Sequence, residues 1–314
     1  MSDAPKVAVI DIGSNSIKAL VARRGTNCRR VKPVHEQTID ARISAGINRA
    51  EPRLSPEGMA AGLNAIRQLL DTVAPFSPVK IQLVATSAVR DALNRDDFLN
   101  LVRNETGHAI RILTGTEEAA CIGRGLLADP ALAGVSDCYV FDLGGGSLEC
   151  LRLRNHQLET ALSLPLGCVR LTEKFVTDRL APLASAISGN IKAYVARLLA
   201  EADFAFSLPP GATAIGTGGT LYSCRAILAH RAGLEIEQSS PIIAHGMLVE
   251  LAAELAAMPL DARNSVPGLP PARADVFPAA LFTFLGVMES GHIAALHHSK
   301  YNLRYGIADE LMPA

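Results

Sequence analysis

The chain has 314 residues, of which 49% are hydrophobic and 19% are charged, and its formal net charge is −1. This composition excludes a disordered tail, and the near-zero charge excludes a globally basic nucleic-acid binder. The sequence contains no run of about 18 apolar residues and no pattern of a secretory signal, so it predicts a cytoplasmic protein without a membrane span. The six cysteines are scattered without a C-x-x-C pair, which is typical of reduced structural thiols.

Strand-like and helix-like segments alternate along the first part of the chain. Lys6–Ile12 is a short apolar run followed by glycine, which predicts a buried strand. Ser55 and Pro56 suit the N-cap and first helical positions, and apolar residues at helical spacing continue to Val73. Further along, the patterns predict strands at Val79–Ala85 and Ile110–Leu113 and helices at Arg90–Arg103 and from Thr116.

The alternation continues beyond a loop at Ala128–Asp137, which is the best candidate for a domain boundary. Met258–Pro278 carries five prolines and is predicted as a loop-rich insert. The whole pattern predicts an α/β fold with domains at 1–127 and 128–314, the last helix being able to pack back on the first domain. The remaining predicted strands are Cys138–Leu143, Cys150–Arg154, Glu159–Leu164 and Ala212–Ile215, and the helices are Arg170–Phe175, Pro182–Ala202, Ala279–Met288 and Gly306–Met312.

An internal repeat relates the two halves of the chain. The run Val7–Ser14 is echoed by Tyr139–Ser147, and the aspartates Asp11 and Asp142 lie 131 positions apart, about one domain length. This spacing predicts a duplicated α/β domain whose glycine turns face a common cleft.

Three glycine turns follow predicted strands, at Gly13–Ser16, Gly144–Ser147 and Gly216–Thr220. Successive backbone N–H groups in such turns form an anion-binding nest, and the neighbouring hydroxyls add donors. A carboxylate at a strand end, as at Asp11 and Asp142, can hold Mg²⁺. One such turn is more typical of plain structure, but two copies at domain spacing and a third turn favour a phosphate site. The sequence has no P-loop and no dinucleotide-binding glycine motif.

The segment Thr114–Ala119 is a second signal. We expect Thr116 to cap a helix whose first turn holds Glu117 and Glu118. A carboxylate placed there could orient and deprotonate a water molecule. The alternative is that both glutamates merely stabilise the helix start, and spacing alone favours that alternative.

Other charged residues have two open interpretations. Arg90 follows a strand and suits bidentate phosphate binding, or it forms a surface ion pair with Asp91 or Asp97. Glu149 could share a metal or a water with Asp142, or it is an ordinary charge on a strand. Five cations near turns are individually more typical of solvated surface: Lys18, Arg170, Lys174, Arg273 and Arg304.

Taken together, these motifs resemble the Ppx/GppA phosphatase family, whose members are exopolyphosphatases and guanosine pentaphosphate phosphohydrolases. The resemblance implies an α/β fold of two actin-like domains, of the ribonuclease H-like and sugar-kinase superfamily, flanking a cleft. It covers nearly the whole chain in the family's motif order. The matching segments are Ile10–Lys18, Ala85–Asn94, Gly115–Ala119, Phe141–Glu149, Gly167–Leu171, Gly216–Thr220 and Leu303–Gly306.

The resemblance also implies a role for each matching residue. Glu118 would be the general base that activates water, Asp142 and Glu149 would position water or metal, and Asp11 would bind metal or phosphate. The metal would be Mg²⁺ or Mn²⁺, acting in hydrolysis of a terminal phosphoanhydride. The expected phosphate-binding residues are Gly13, Ser14, Asn15, Ser16, Lys18, Arg90, Gly144, Gly145, Gly146, Ser147, Thr217, Gly218, Gly219 and Arg273.

The implied partners are inorganic polyphosphate and pppGpp or ppGpp, with no DNA and no membrane, and the implied setting is a homodimer in the stringent response. The chain resembles the short members of the family. It departs from the family pattern at Arg42–Ile47, which lacks a glutamate, and at Asn302, where glycine is usual; asparagine tolerates the left-handed conformation expected there.

Three other functions stay open at this point. A non-catalytic module could sense ppGpp or polyphosphate with the same turns. A kinase of the same superfamily would use ATP, and the E-E-A glutamate argues against it. A filament-forming actin-like protein is the most distant alternative.

Overall fold

The protein divides into two units, and the computed structural model describes residues 4–25, 31–45, 47, 51–209 and 212–313. The first unit comprises residues 1–136 with 301–314, and the second comprises residues 137–300. The sequence-based boundary lay at 127/128, nine residues before the division seen here. Five cysteines are buried free thiols, and Cys28 lies outside the described residues.

The first unit is built on a five-stranded mixed sheet. Its strand order is β3-β2-β1-β4-β5, in which β1, β2 and β3 are antiparallel while β4 and β5 run parallel to β1. Buried apolar side chains of β1 and β2 form the core with the helices packed on the sheet. The strands are β1 Lys6–Ile12, β2 Ser16–Arg24, β3 Val31–Asp40, β4 Lys80–Ala85 and β5 Ile110–Ile112.

The helices of this unit are α1 Pro56–Val73, α2 Ser87–Asp91, α3 Arg95–Thr106 and α4 Gly115–Leu127. The α1 start is as predicted, since Ser55 Oγ accepts a 3.0 Å hydrogen bond from the N–H of Gly58. The single helix predicted at Arg90–Arg103 is instead divided between α2 and α3. Helix α2 ends at the extended backbone of Ala92, and beyond it the side-chain amide of Asn94 pairs with both backbone groups of Leu54, at 2.9 and 3.0 Å.

The second unit repeats the sheet of the first. The strands are β6 Cys138–Leu143, β7 Leu148–Arg154, β8 Gln157–Leu164, β9 Thr213–Thr217, β10 Ile242–Ala244 and β11 Ala295–His298. The order β8-β7-β6-β9-β11 matches that of the first sheet in sequence and direction, and β10 adds an antiparallel edge. This agreement confirms the predicted α/β fold and accounts for the sequence repeat.

Helices pack on the second sheet around α10, whose residues 277–288 are all buried. The predicted loop-rich insert at Met258–Pro278 contains a short helix and a 3₁₀ turn at Pro271–Arg273. The helices are α5 Cys168–Phe175, α6 Ser185–Glu201, α7 Gly219–Arg231, α8 His245–Ala257, α9 Leu260–Asn264 and α10 Phe277–Ser290. In the described part of the chain, no helix combines the length and the apolar character needed to cross a membrane.

The C-terminal helix α11, Leu303–Leu311, belongs to the first unit and packs on α4. A Cβ at Gly306 would collide with the Cys121 carbonyl, so the two helix backbones touch directly. The helix begins three residues before the predicted start, because Asn302 caps it by accepting a hydrogen bond from the N–H of Arg304. The expectation of a left-handed backbone conformation at Asn302 is wrong, because the φ of Asn302 is −151°.

Candidate active site

Each sheet carries a tight glycine turn between its first two strands. In the first unit the N–H of Gly13 donates to the Ser16 carbonyl at 3.2 Å, and in the second the N–H of Gly144 donates to the Ser147 carbonyl at 3.0 Å. The predicted residues of each turn are therefore brought together at one end of a sheet.

The carbonyls of the first turn are held by the segment that follows β3. Ser44 Oγ donates to the Ser14 carbonyl at 3.0 Å, and the N–H groups of Ala41 and Arg42 donate to the Asn15 carbonyl at 3.2 and 2.9 Å. The Asn15 side chain is buried, and neither its oxygen nor its nitrogen has a hydrogen-bond partner. A buried amide without a partner is costly, so this turn is suited to a polar ligand.

The carbonyls of the second turn are held by the start of α5. The N–H groups of Cys168 and Val169 donate to the carbonyls of Gly144 and Gly145 at 3.0 and 2.9 Å. Only glycine fits at Gly167, because a Cβ there would overlap the turn backbone. Among the described residues, no hydrogen bond uses the N–H of Gly145, which leaves a donor for an anion.

The third turn joins β9 to the N-terminus of α7. Gly218 has φ +93°, and a Cβ there would lie 2.6 Å from Asp142 Oδ1, so the carboxylate lies against the turn backbone. The guanidinium of Arg273, from the 3₁₀ turn at Pro271–Arg273, packs on Gly219.

Donors around this third turn are buried and unpartnered. The hydroxyls of Thr217 and Thr220 and the Nε of Arg273 have no hydrogen-bond partner, and the side chains are at most 9% exposed. A helix N-terminus with these donors is suited to phosphate. Arg273, grouped at first with solvated cations and expected from the resemblance to bind phosphate, is buried beside this turn.

Two carboxylates lie side by side in the second unit. Asp142 on β6 is paired in register with Glu149 on β7, and with Thr217 on β9. Paired residues of neighbouring strands share a face of the sheet, and like charges there repel. Glu149 is 2% exposed and accepts a 2.8 Å hydrogen bond from Ser163 Oγ. The pair is therefore suited to a cation.

The equivalent pair in the first unit has opposite charges, since Asp11 is in register with Lys18. Burial raises the pKa of Asp11, while Lys18 and Arg304 oppose the rise. Asp11 Oδ1 is buried without a hydrogen-bond partner. Arg304, expected on the solvated surface, is instead 7% exposed and donates to the Ala19 carbonyl at 3.1 Å.

The two adjacent glutamates of α4, Glu117 and Glu118, differ in whether they cap the helix. Thr114, rather than the predicted Thr116, is the N-cap, and it forms a capping box with Glu117. Glu117 accepts hydrogen bonds from the N–H and hydroxyl of Thr114 at 2.8 and 3.0 Å, and these bonds lower its pKa. Helix capping thus accounts for Glu117 and leaves Glu118 without that role.

Glu118 is buried, and Arg90 holds it. Arg90 Nη1 donates to Glu118 Oε2 at 2.8 Å and to the Leu113 carbonyl at 2.9 Å. Of the ion pairs weighed from the sequence, the one with Asp91 is present at 3.7 Å. The partner Glu118 was not foreseen, because the two residues meet through the parallel pairing of β4 and β5, the strands that α2 and α4 follow.

The residues present fit a hard divalent cation. Mg²⁺ is bound through oxygen, commonly by one or two carboxylates with water and substrate phosphates completing its shell. Asp142 and Glu149 supply such a pair within the second unit. Within the described ranges, no group of three or more His, Cys, Asp or Glu side chains forms a metal cage. The pair of carboxylates therefore fits a metal shared with substrate.

Comparison with solved structures identifies the fold. An exopolyphosphatase from Cytophaga hutchinsonii matches with a TM-score of 0.85 at 21% identity, covering 96% of each chain. The Ppx/GppA enzyme of Aquifex aeolicus matches with a TM-score of 0.77 at 23% identity, covering 98% of this chain and 99% of that one. The two units thus form the two-domain actin-like fold of these proteins.

Comparison of sequences gives the family. Exopolyphosphatase 2 of Mycobacterium tuberculosis is 30% identical over 279 residues, 86% of each chain. A guanosine-5'-triphosphate,3'-diphosphate pyrophosphatase of Vibrio vulnificus is 27% identical over 99% of this chain, which spans 60% of that relative's length. The model of the Ppx/GppA phosphatase family matches residues 20–314. The chain therefore belongs to the Ppx/GppA phosphatase family, whose named members here are phosphoanhydride hydrolases.

Proposed function

We propose that this protein releases the terminal phosphate of inorganic polyphosphate, of pppGpp, or of both, by attack of a water molecule that Glu118 activates. The names of the relatives support this substrate class, since one is an exopolyphosphatase and another acts on guanosine-5'-triphosphate,3'-diphosphate. A homodimer, a cytoplasmic location and a role in the stringent response stay predictions.

The buried Glu118 carboxylate is the observation that carries the proposal. Its neighbour Glu117 satisfies the helix start, so stability of α4 does not require a second glutamate. Keeping a charged carboxylate buried needs compensation, which Arg90 supplies at 2.8 Å. A carboxylate fixed in this way can accept a proton from water as the oxygen attacks phosphorus.

Phosphate binding is assigned to donors that have no acceptor within the protein. The N–H of Gly145, the side chain of Asn15 and the hydroxyls of Thr217 and Thr220 are such groups. Arg273 adds a positive charge at the N-terminus of α7. Phosphoryl transfer depends mainly on positioning and charge neutralisation, and these groups supply both.

We assign Asp142 and Glu149 to holding Mg²⁺ or Mn²⁺, and, in the first unit, we assign Asp11 to binding metal or phosphate. When bound, the ion neutralises phosphate oxygens and orients the chain for in-line attack. Glu149 is held for this role by the hydrogen bond from Ser163, and Asp142 lies where a Cβ at residue 218 would crowd it.

The test is phosphate release with Mg²⁺ from three substrates in parallel, namely short polyphosphate, long polyphosphate and pppGpp. We expect release from at least one substrate and its loss in EDTA. Binding of the same compounds without release would overturn hydrolysis and favour the sensor. Transfer of phosphate from ATP to a sugar instead would favour the kinase.

A further inference from the structure

Arg263 on α9 is a fully buried arginine with no part in the chemistry above. It is 0% exposed. One guanidinium nitrogen, Nη1, donates to the Ala274 carbonyl at 3.1 Å. The other, Nη2, donates to the carbonyls of Arg179 and Ala181 at 2.9 and 3.4 Å. The side chain therefore ties two distant segments of the second unit together.

The segment that Arg263 holds is the one that carries Arg273. Ala274 directly follows Arg273, and the 3₁₀ turn at Pro271–Arg273 ends there. The same segment lies along α7, because a Cβ at Gly268 would come within 2.6 Å of the Ile227 nitrogen. It thus reaches from the middle of α7 to Gly219 at the helix start, where Arg273 packs.

Arg263 is bonded to backbone carbonyls rather than to a counter-charge. It makes no ion pair within 4.0 Å among the described residues, and the nearby carboxylate of Asp275 pairs with Arg179 at 3.5 Å. A buried charge without a directly bonded counter-charge is costly, and its hydrogen bonds to the backbone carbonyls offset that cost. What an apolar side chain cannot do is fix the Ala274 carbonyl and, with it, the backbone next to Arg273.

We infer that Arg263 is a positioning residue for Arg273, fixing the 271–275 segment so that the Arg273 guanidinium lies at the phosphate-binding turn of α7. This inference rests on the proposed function, in which Arg273 binds substrate phosphate. Nη1 holds the Ala274 carbonyl while Nη2 anchors the same planar guanidinium to the carbonyls of Arg179 and Ala181, so the backbone next to Arg273 is fixed relative to that second segment.

A double-mutant cycle separates this role from a general contribution to the fold. We measure kcat/KM on polyphosphate for Arg263→Lys, Arg273→Ala and the double variant, with unfolding midpoints for each. Lysine keeps the charge but cannot bridge Ala274 and Arg179 in the same geometry. Arg263→Met is made alongside, as a second variant that removes the charge.

The matched control is Arg225→Lys. Arg225 lies in the same unit, is 8% exposed and also donates to backbone carbonyls, of Ile236 at 2.6 Å and Ser239 at 2.7 Å. The loop that it holds does not carry Arg273. Its effect on kcat/KM, whatever its size, is therefore expected to be the same with and without Arg273.

We expect Arg263→Lys to lower kcat/KM by about tenfold in the wild-type background and to change it less than twofold in Arg273→Ala, because residues that act through one group are not additive. Equal losses in both backgrounds, or loss of folding in both Arg263 variants, would overturn the positioning role. No effect of Arg273→Ala itself would instead overturn the assignment of Arg273 to phosphate, which is the proposed function rather than this inference.

Discussion

The Arg90 guanidinium donates a 2.8 Å hydrogen bond to the buried Glu118 carboxylate. Because the same Nη1 also bonds the Leu113 carbonyl, Arg90 fixes Glu118 to the strand end from which α4 departs. We propose from this relationship that Arg90 orients the proposed base, while the phosphate binding expected of Arg90 stays a prediction.

The first prediction concerns the proposed role of Arg90 in orienting Glu118. Arg90→Met should lower kcat for phosphate release by about 10²-fold, because a misplaced catalytic group loses much of its effect. Steady-state kinetics on polyphosphate measure it, and the control is Arg95→Met, which changes an exposed arginine that donates to the Arg90 carbonyl. A rise in KM with kcat unchanged would instead restore Arg90 to phosphate binding.

The second prediction tests the contact between Gly218 and Asp142. Gly218→Ala should abolish most activity, because its Cβ would lie 2.6 Å from Asp142 Oδ1. Gly233→Ala is the matched control, since Gly233 also has positive φ, +68°, but has open space around it.

Both glycine variants should lose unfolding free energy through backbone strain. Gly233→Ala should lose about 1–2 kcal/mol, and Gly218→Ala should lose more, because φ +93° with ψ 176° is a conformation that glycine almost alone adopts. Only Gly218→Ala should also lose phosphate release. Equal activity of the two variants would show that the position of Asp142 does not matter.

The third prediction concerns the paired carboxylates. Glu149→Gln should raise the Mg²⁺ concentration needed for half-maximal activity by about tenfold or more, since it removes a charge beside Asp142. Titration of activity with Mg²⁺ measures this. Glu159→Gln, on β8, where it pairs with Arg152 at 3.0 Å, is the control. An unchanged Mg²⁺ titration would exclude Glu149 from the metal site.

The fourth prediction is a pH dependence of stability. Burial, helped by Arg225, Lys300 and His297, lowers the pKa of His298 from 6.5 to about 3. Between these two values the unfolded chain binds a proton that the folded protein does not, so stability falls as the pH falls through this window.

Urea unfolding at a series of pH values checks this. In His298→Gln the unfolding free energy should depend less steeply on pH between 6.5 and about 3, and the difference in slope should correspond to one bound proton. An identical slope in the variant would mean that His298 is protonated in the folded state.

The fold could be predicted from the sequence because the two halves of the chain repeat a strand followed by a glycine turn, at Val7–Ser14 and Tyr139–Ser147. Strand β1 contains the apolar run Val7–Ile10, and the α1 start has serine and proline in the expected places. Strand β3 could not be predicted in the same way. Its sequence includes Pro33 and mostly polar residues, and most of its side chains are exposed. It therefore shows neither an apolar run nor a regular alternation of apolar and polar residue types.

The site could be predicted as a set of residues but not as a set of contacts. Glu117 and Glu118 are equivalent in sequence, and only the packing of α4 decides that one caps the helix and the other is buried. Arg263 gave no signal at all, because its partners are backbone carbonyls about 10 and 80 residues away along the chain. Ser163 was missed for the same reason, since its pairing with Glu149 depends on strand register.

The central claim is that Glu118 activates water, and one measurement tests it most directly. Phosphate release from polyphosphate is compared for Glu118→Gln and Glu117→Gln, two isosteric changes at adjacent positions of one helix. We expect Glu118→Gln to lose about 10²-fold or more in kcat, the usual scale for a lost general base, while Glu117→Gln keeps near-native turnover because glutamine still completes the capping box. Near-native turnover of a folded Glu118→Gln protein would contradict the account.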